Sequence, residues 1–497
     1  MRKPSSIFRV VTGVAAIFLT AVAASQSLAQ RTITVTTTSD GFSCPSPLCS
    51  PQCSLRDAII AANENRMVNG CAAGQSSGVD RIVFNVGSGT PTIMLRSALP
   101  PITEPVEIDG GTGGATRIEV SGVNILRLPG NRVDGLILAT GESTIRNLVI
   151  NGFGGNGIVM TAITGGYLPD HNPPTITDPS IPTNPPRGPN PGNEPPIPPD
   201  RGAGSGNKIF GCFIGTDKTG TMAIGNGSGL NAAGIADTAG ILTDTDLHTI
   251  GGPTPEERNV ISGNHGHGLI LGGKGHLVSG NYIGVDATGA ASLGNQFDGI
   301  NIAGGQLSQA FGTIGASQSP WAGKCQLVID SAGIGADDAR RCGNRIAFNG
   351  RYGVITGYNS YEILSNSIFS NGDLGIDVDT SGVTPNDPTG SLRNYPEWSL
   401  PWLRVFNFSP PFLGTIVIGS ITNRSSEPRI IQLFGNSACD PSGHGEGQNL
   451  ILTFTVPGNV RFSQIIPTAF RSVTATSTRL SASGSKATSE FSACQEL

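Results

Sequence analysis

Short runs of two or three apolar residues, each closed by Asn or Gly, recur along most of the chain at regular spacing. Asn259-Val-Ile-Ser-Gly-Asn264 is followed 22 residues later by Asn281-Tyr-Ile-Gly284. Asn344-Arg-Ile-Ala-Phe-Asn349 returns, again after 22, as Asn366-Ser-Ile-Phe-Ser-Asn371. Nine residues after the first Asn of three of these units stands a Gly-apolar pair: Gly268-Leu269, Gly353-Val354 and Gly375-Ile376. Asn207-Lys-Ile-Phe210 is a further member, and Asn147-Leu-Val-Ile150 with Gly157-Ile158 a looser one. Runs this short, separated by turn formers, predict β-strands. A repeat of this length holding two or three strands predicts one coil of a stacked parallel sheet, because a single coil cannot bury its own apolar side chains. Ile261, Ile346 and Ile368 then line up inside the stack. The corner asparagines pair with their neighbours above and below as amide ladders.

A longer duplication overlies the short one. Ile214-Gly-Thr-Asp217 through Gly225-Asn226 matches Ile283-Gly-Val-Asp286 through Gly294-Asn295 at an offset of 69. Thr249-Ile-Gly251 matches Thr313-Ile-Gly315 at 64, and Asn259 matches Asn344 at 85, which locates an insertion of about 21 residues between Gly315 and Asn344. Cys325 and Cys342 lie in that interval, so a disulfide-pinned loop over 316–343 is expected. A second excursion, 167–202, holds 13 of the 35 prolines. Proline at that density removes ladder donors and favours extended polyproline II, so this segment leaves the stack as a loop or spacer.

The ends differ from the middle. Ser54-Leu-Arg-Asp57 resembles a capping box with Asp in place of Glu, and Leu55, Ala58, Ile59 and Ala62 follow at helical spacing. A short helix here would cover the open strand edges at the start of the stack. From about Leu403 the texture changes to longer strand-like runs, Gly414–Gly419, Arg429–Phe434, Leu450–Val456 and Ser472–Ser477, at the spacing of a small β-sandwich closed by Cys439 and Cys494.

Composition supports this reading and limits the chemistry. Gly is 70 of 497 residues and charged residues are 13 %. A formal net charge of −5 without a basic stripe or aromatic–basic interleaving excludes nucleic acid as the expected partner. Arg2, Lys3, the apolar stretch Val10–Ala24 and Ser27-Leu-Ala29 read as a signal peptide cut after Ala29. No later segment is expected to cross a membrane. An exported chain favours disulfides for its cysteines, Cys44, Cys49, Cys53 and Cys71 near the mature start and the two later pairs, with Cys212 left over. A zinc reading of the first cluster is disfavoured by Pro45, Pro47 and Pro51 among it.

Cys53-Ser-Leu-Arg-Asp-Ala58 resembles the CSLREA-type segment that opens many exported bacterial β-helix proteins, with Asp57 in place of the usual Glu. The repeats around Asn259, Asn281 and Asn366 and the segment Gly382–Asp387 are similar to the repeat region of such chains. The tail segments Asn436–Gly443 and Thr488–Cys494 are similar to their closing segments. The resemblance covers nearly all of the chain after residue 29 except the Pro-rich excursion. It implies an all-β, right-handed parallel β-helix of the pectin-lyase type, with about 22 residues per coil. The expected division is a signal peptide 1–29, a disulfide-rich cap 30–80, the β-helix 81–402 and a β-sandwich-like module 403–497.

The family carries no single activity, so chemistry must come from particular residues. A glycosidase needs two carboxylates on one face, one as acid and one kept ionised. Gly266-His267-Gly268 and Asp337-Asp338 look like pieces of a polygalacturonase set, but their order is reversed and the remaining pieces are missing. Asp217 and Asp286 read as corner residues that bind local backbone. No cofactor is firmly implied. If calcium binds, the acidic segment 373–387 is the place, through Asp373, Asp377, Asp379 and Asp387, with His265, His267 and Lys274 as candidate neighbours. The three tryptophans, Trp321, Trp398 and Trp402, do not make a glycan platform, and Trp398 and Trp402 are expected to pack at the junction with the tail. The preferred expectation is a secreted or envelope protein with a structural, adhesive or surface-interaction role and no assembled catalytic set, its partner an extracellular polysaccharide or cell-surface glycan. The alternative is a uronate-polymer lyase, hydrolase or epimerase working in the β-helix groove.

Overall fold

The computed structural model describes residues 30–41, 51–125, 132–162, 204–231, 235–303, 311–318, 320–327, 341–356, 360–378, 382–384, 402–407, 415–420, 427–458, 460–466, 470–480 and 486–497. The signal peptide, Cys44, Cys49, the Pro-rich excursion, Asp337-Asp338, Trp398, Asp379 and Asp387 lie outside these residues.

The described chain is mostly β, with three long parallel sheets of nine, eight and seven strands. From Thr144 to Val378 it visits the three sheets in fixed rotation, so each circuit adds one strand to each sheet. This arrangement is compatible with a parallel β-helix. Parallel ladders hold the same residue type in register from circuit to circuit. In the eight-stranded sheet Ile93, Val120, Ile150, Ile214, Ile261, Ile283, Ile346 and Ile368 form one continuous row. All eight are buried in the main apolar cluster. The expected alignment of Ile261, Ile346 and Ile368 is therefore found. Ile33, Ile82, Ile108, Ile145, Ile209 and Ile250 begin a second row in the nine-stranded sheet.

The recurrent Gly at the start of each strand of the seven-stranded sheet has a steric cause. A Cβ on Gly353 would sit 2.5 Å from the carbonyl oxygen of Gly375, and one on Gly299 would sit 2.6 Å from that of Gly353. Circuits stack too closely there for any side chain.

At the start, the helix Leu55–Glu64 lies against the first strands with Leu55, Ala58, Ile59, Ala61 and Ala62 buried. Ser54 caps it by accepting from the Asp57 amide at 3.1 Å, and its hydroxyl donates back to the Asp57 carboxylate at 2.6 Å. Asp57 thus meets the cap residue through its hydroxyl, and its second carboxylate oxygen accepts from Asn69 Nδ2 at 2.7 Å. Cys53–Cys71 pins this region. The segment read as a cap also contributes the first strand of the nine-stranded sheet, Thr32–Val35, which pairs parallel with Asp80–Phe84.

The tail forms two antiparallel sheets, of three and five strands. They share an apolar cluster of Val417, Ile431, Leu433, Phe454, Phe462, Ile466 and Val473. Cys439–Cys494 closes the tail and Cys325–Cys342 pins the inserted loop, as their spacing predicts. Among the described residues no helix is long and apolar enough to cross a membrane, which says nothing of β-barrels.

Candidate functional site: the corner rows

The corners between sheets carry the polar side chains, and these form rows as regular as the isoleucines inside. In one row Asn259 donates through Nδ2 to Asn281 Oδ1 at 2.9 Å, Asn281 to Asn344 at 3.0 Å and Asn344 to Asn366 at 2.9 Å. In a second row Asn226, Asn264, Asn295 and Asn349 each donate to the next in the same direction at 2.9 to 3.1 Å, the last to Asn371. Each amide also satisfies backbone groups of adjoining circuits, so these residues are buried without an open donor or acceptor to offer a ligand. The expected ladders are present.

Other residues occupy equivalent slots. Cys212 stands in the first row, its amide donating to Asn259 Oδ1 at 2.9 Å. Burial pushes its thiol up to about 12, so the leftover cysteine is an inert filler. A third row runs Ser143, Asn207, His248, His276. The Ser143 amide donates to Asn207 Oδ1 at 2.9 Å, and the Asn207 amide donates to His248 Nδ1 at 3.2 Å. The two imidazoles stack with centroids 5.3 Å apart. Burial, and for His248 the neighbouring ring, lower them to about 3 and about 4. Both are neutral at physiological pH.

The fourth row holds the candidate site. Asp134, Asn156, Ala239, His267, Asp298 and Tyr352 stand at or just before the starts of successive strands of the seven-stranded sheet. The buried Asp298 carboxylate lies 3.0 Å from His267 Nδ1. It accepts from Asn301 Nδ2 at 3.2 Å and from the Tyr352 amide at 3.3 Å. Arg351, 44 % exposed, places Nε 4.0 Å from both Asp298 and Asp373, with its guanidinium 5.1 Å from the Tyr352 ring centroid. Asp377 follows in register with Ile355 on the seven-stranded sheet. Burial raises its carboxyl to about 6; the nearby Tyr352 hydroxyl, Gly382 backbone and Arg351 oppose that shift, and Asp298 adds to it.

The structure thus brings Asp373 and Asp377 into one neighbourhood with His267, and adds Asp298, Arg351 and Tyr352. Asp373 is exposed, whereas Asp298 and Asp377 are buried. Among the described residues no group of three or more His, Cys, Asp or Glu side chains is placed to hold a metal ion. His265 and Lys274 are exposed on other turns.

Asp217 and Asp286 form matching turns. Asp217 accepts from Thr219 Oγ1, Thr221 N and Met222 N at 2.6 to 3.0 Å. Asp286 accepts from Thr288 Oγ1, Ala290 N and Ala291 N at 2.7 to 3.2 Å. Partial burial opposes ionisation in both, and the hydrogen bonds outweigh it, holding both carboxyls below the usual range. They are turn residues, as their pattern predicts.

The last circuit meets the tail through groups that spacing could not reveal. Asn371, the end of the second row, donates through N and Nδ2 to Glu446 Oε1 at 2.9 and 3.2 Å, and the Ser370 amide also reaches this carboxyl. The Val378 and Thr384 amides donate to Glu490 at 3.1 and 3.0 Å. Gln432 accepts from the Ser365 amide at 3.0 Å, and Ile368 exchanges backbone hydrogen bonds with Gly447. Lys486 pairs with the buried Glu362 at 3.2 Å. The open edges of the parallel sheets are covered by these contacts. Comparison of the chain with family models and with curated proteins returned no match.

Proposed function

We propose that the chain is an exported right-handed parallel β-helix of the CSLREA type, with a sandwich-like C-terminal cap and a structural, adhesive role outside the cytoplasm. The observation that carries this reading is where the polar side chains go. The asparagines, His248, His276, Asp217, Asp286, Glu446 and Glu490 are each engaged in closing a corner, a turn or the end of the stack. The three disulfides among the described residues suit an oxidising compartment. A long surface of constant period, pinned at both ends, suits multivalent contact with an extracellular polysaccharide or cell-surface glycan.

One observation favours the second reading, a uronate-polymer enzyme. Asp298, Arg351, Asp373 and Asp377 combine a half-exposed cation with carboxyls, one of them raised to about 6, as acid–base chemistry requires. The two readings separate in one experiment. The mature chain, disulfides intact, is incubated with acidic and neutral polysaccharides, with calcium and with chelator, while unsaturated products and new reducing ends are followed. The structural reading expects glycan retention without turnover. Turnover abolished by Asp377→Asn and by Arg351→Ala would replace it with the enzymatic one.

A further inference from the structure

We propose that docking of the tail on the last circuit is proton-linked, with Glu446 and Glu490 as the two switching groups. Both carboxyls occupy places where a further circuit would present neutral amides. Glu446 ends a row in which every preceding acceptor is an asparagine oxygen, and Glu490 receives the amide of Val378 at the end of the seven-stranded sheet. Their contacts to the last circuit are to neutral donors: Ser370, Asn371, Val378 and Thr384. The charged groups facing them add no compensation. Asp440 acts on Glu446 and Asp377 acts on Glu490, both with the same sign. Asp377 is in turn influenced by Asp298 and Arg351. Lys486 is engaged with Glu362, and His444 lies half-buried two residues before Glu446.

Two buried carboxyls that meet no cation among the described residues are costly when ionised. Burial raises both to about 7 despite the amides that bind them. With the docked values above those of the free groups, docking is strongest below about 4.5 and weakens as pH rises, until both are ionised above about 7. Each carboxyl makes the opening constant rise up to about tenfold per pH unit across that window. The tail is therefore held firmly in acidic surroundings and opens more often near neutrality, exposing the last strands.

The test is amide hydrogen exchange on the full chain between pH 4.5 and 8, corrected for intrinsic rates and read at Ser370, Asn371 and Val378 against Ile283 as an interior reference. Protection at the junction is expected to fall at least tenfold while Ile283 is unmoved, and Glu446→Gln with Glu490→Gln to flatten the profile. A flat wild-type profile, or a pH dependence that survives both substitutions, overturns the proposal. Should the variants not fold, side-chain carboxyl titration of the wild type decides. Midpoints for Glu446 and Glu490 near 7 support it, and midpoints below 5 overturn it.

Discussion

An asparagine in a corner row has four duties at once, since it accepts from one circuit, donates to the next and satisfies backbone on either side. Asn281 shows why the residue is hard to replace. Its Oδ1 accepts from Asn259 N and Nδ2, while its own Nδ2 reaches both Asn344 Oδ1 and the Ile250 carbonyl. Asn281→Ala removes the acceptor and leaves a buried donor of Asn259 unmatched, at a cost of about 1–3 kcal/mol for each stranded group. Urea unfolding should show a lower midpoint with unchanged slope. The repeated Asn and Ile slots were legible because identical residues return at one period. Cys212, His248 and His276 were not. They fill equivalent slots with other chemistry, so pattern matching passes over them, although a backbone amide needs only some acceptor there.

At the scale of elements, the disulfide-pinned loop matters through what it touches. Cys325, Cys342, Ala316 and Leu364 pack with Ile430 of the tail in one apolar cluster. The loop therefore supports the junction as well as itself. Replacing both cysteines by serine should cost about 3 kcal/mol for a closed loop of this length. It should also speed proteolysis within the tail before the stack is cut, and a digestion time course followed by mass spectrometry checks that order. The insertion was readable from the jump between offsets 64 and 85. Its contact with Ile430 was not, because nothing periodic links a loop to a strand about a hundred residues later. Glu446 and Glu490 escaped for the same reason, as the residues they meet at the end of the stack stand 75 and 112 positions earlier.

For the whole molecule, two sets of buried titrating groups pull stability in opposite directions with pH. His248 and His276 have folded values depressed below 6.5, so their contribution is present above 6.5 and is lost as pH falls through about 4 and about 3. The carboxyls at the tail junction act the other way, over a window that closes near 4.5. Below that window the imidazoles dominate, and melting temperature should fall steeply on further acidification. His248→Asn, which retains an acceptor for the Asn207 amide, should blunt that acid limb; scanning calorimetry from pH 7 to 3 measures both. An acid limb equally steep in the variant would remove His248 from the account.

The rows have one more consequence, for size. In the two asparagine rows, circuit after circuit presents its predecessor with an amide oxygen and its successor with an amide donor, whereas the two ends are made by unlike structures. Length can therefore change by copying circuits from the middle while both ends stay as they are. Each added circuit lengthens the stack by about 4.8 Å, the spacing of neighbouring strands. The protein is in that sense a ruler with fixed end-stops, its reach set in steps by how many repeats lie between them.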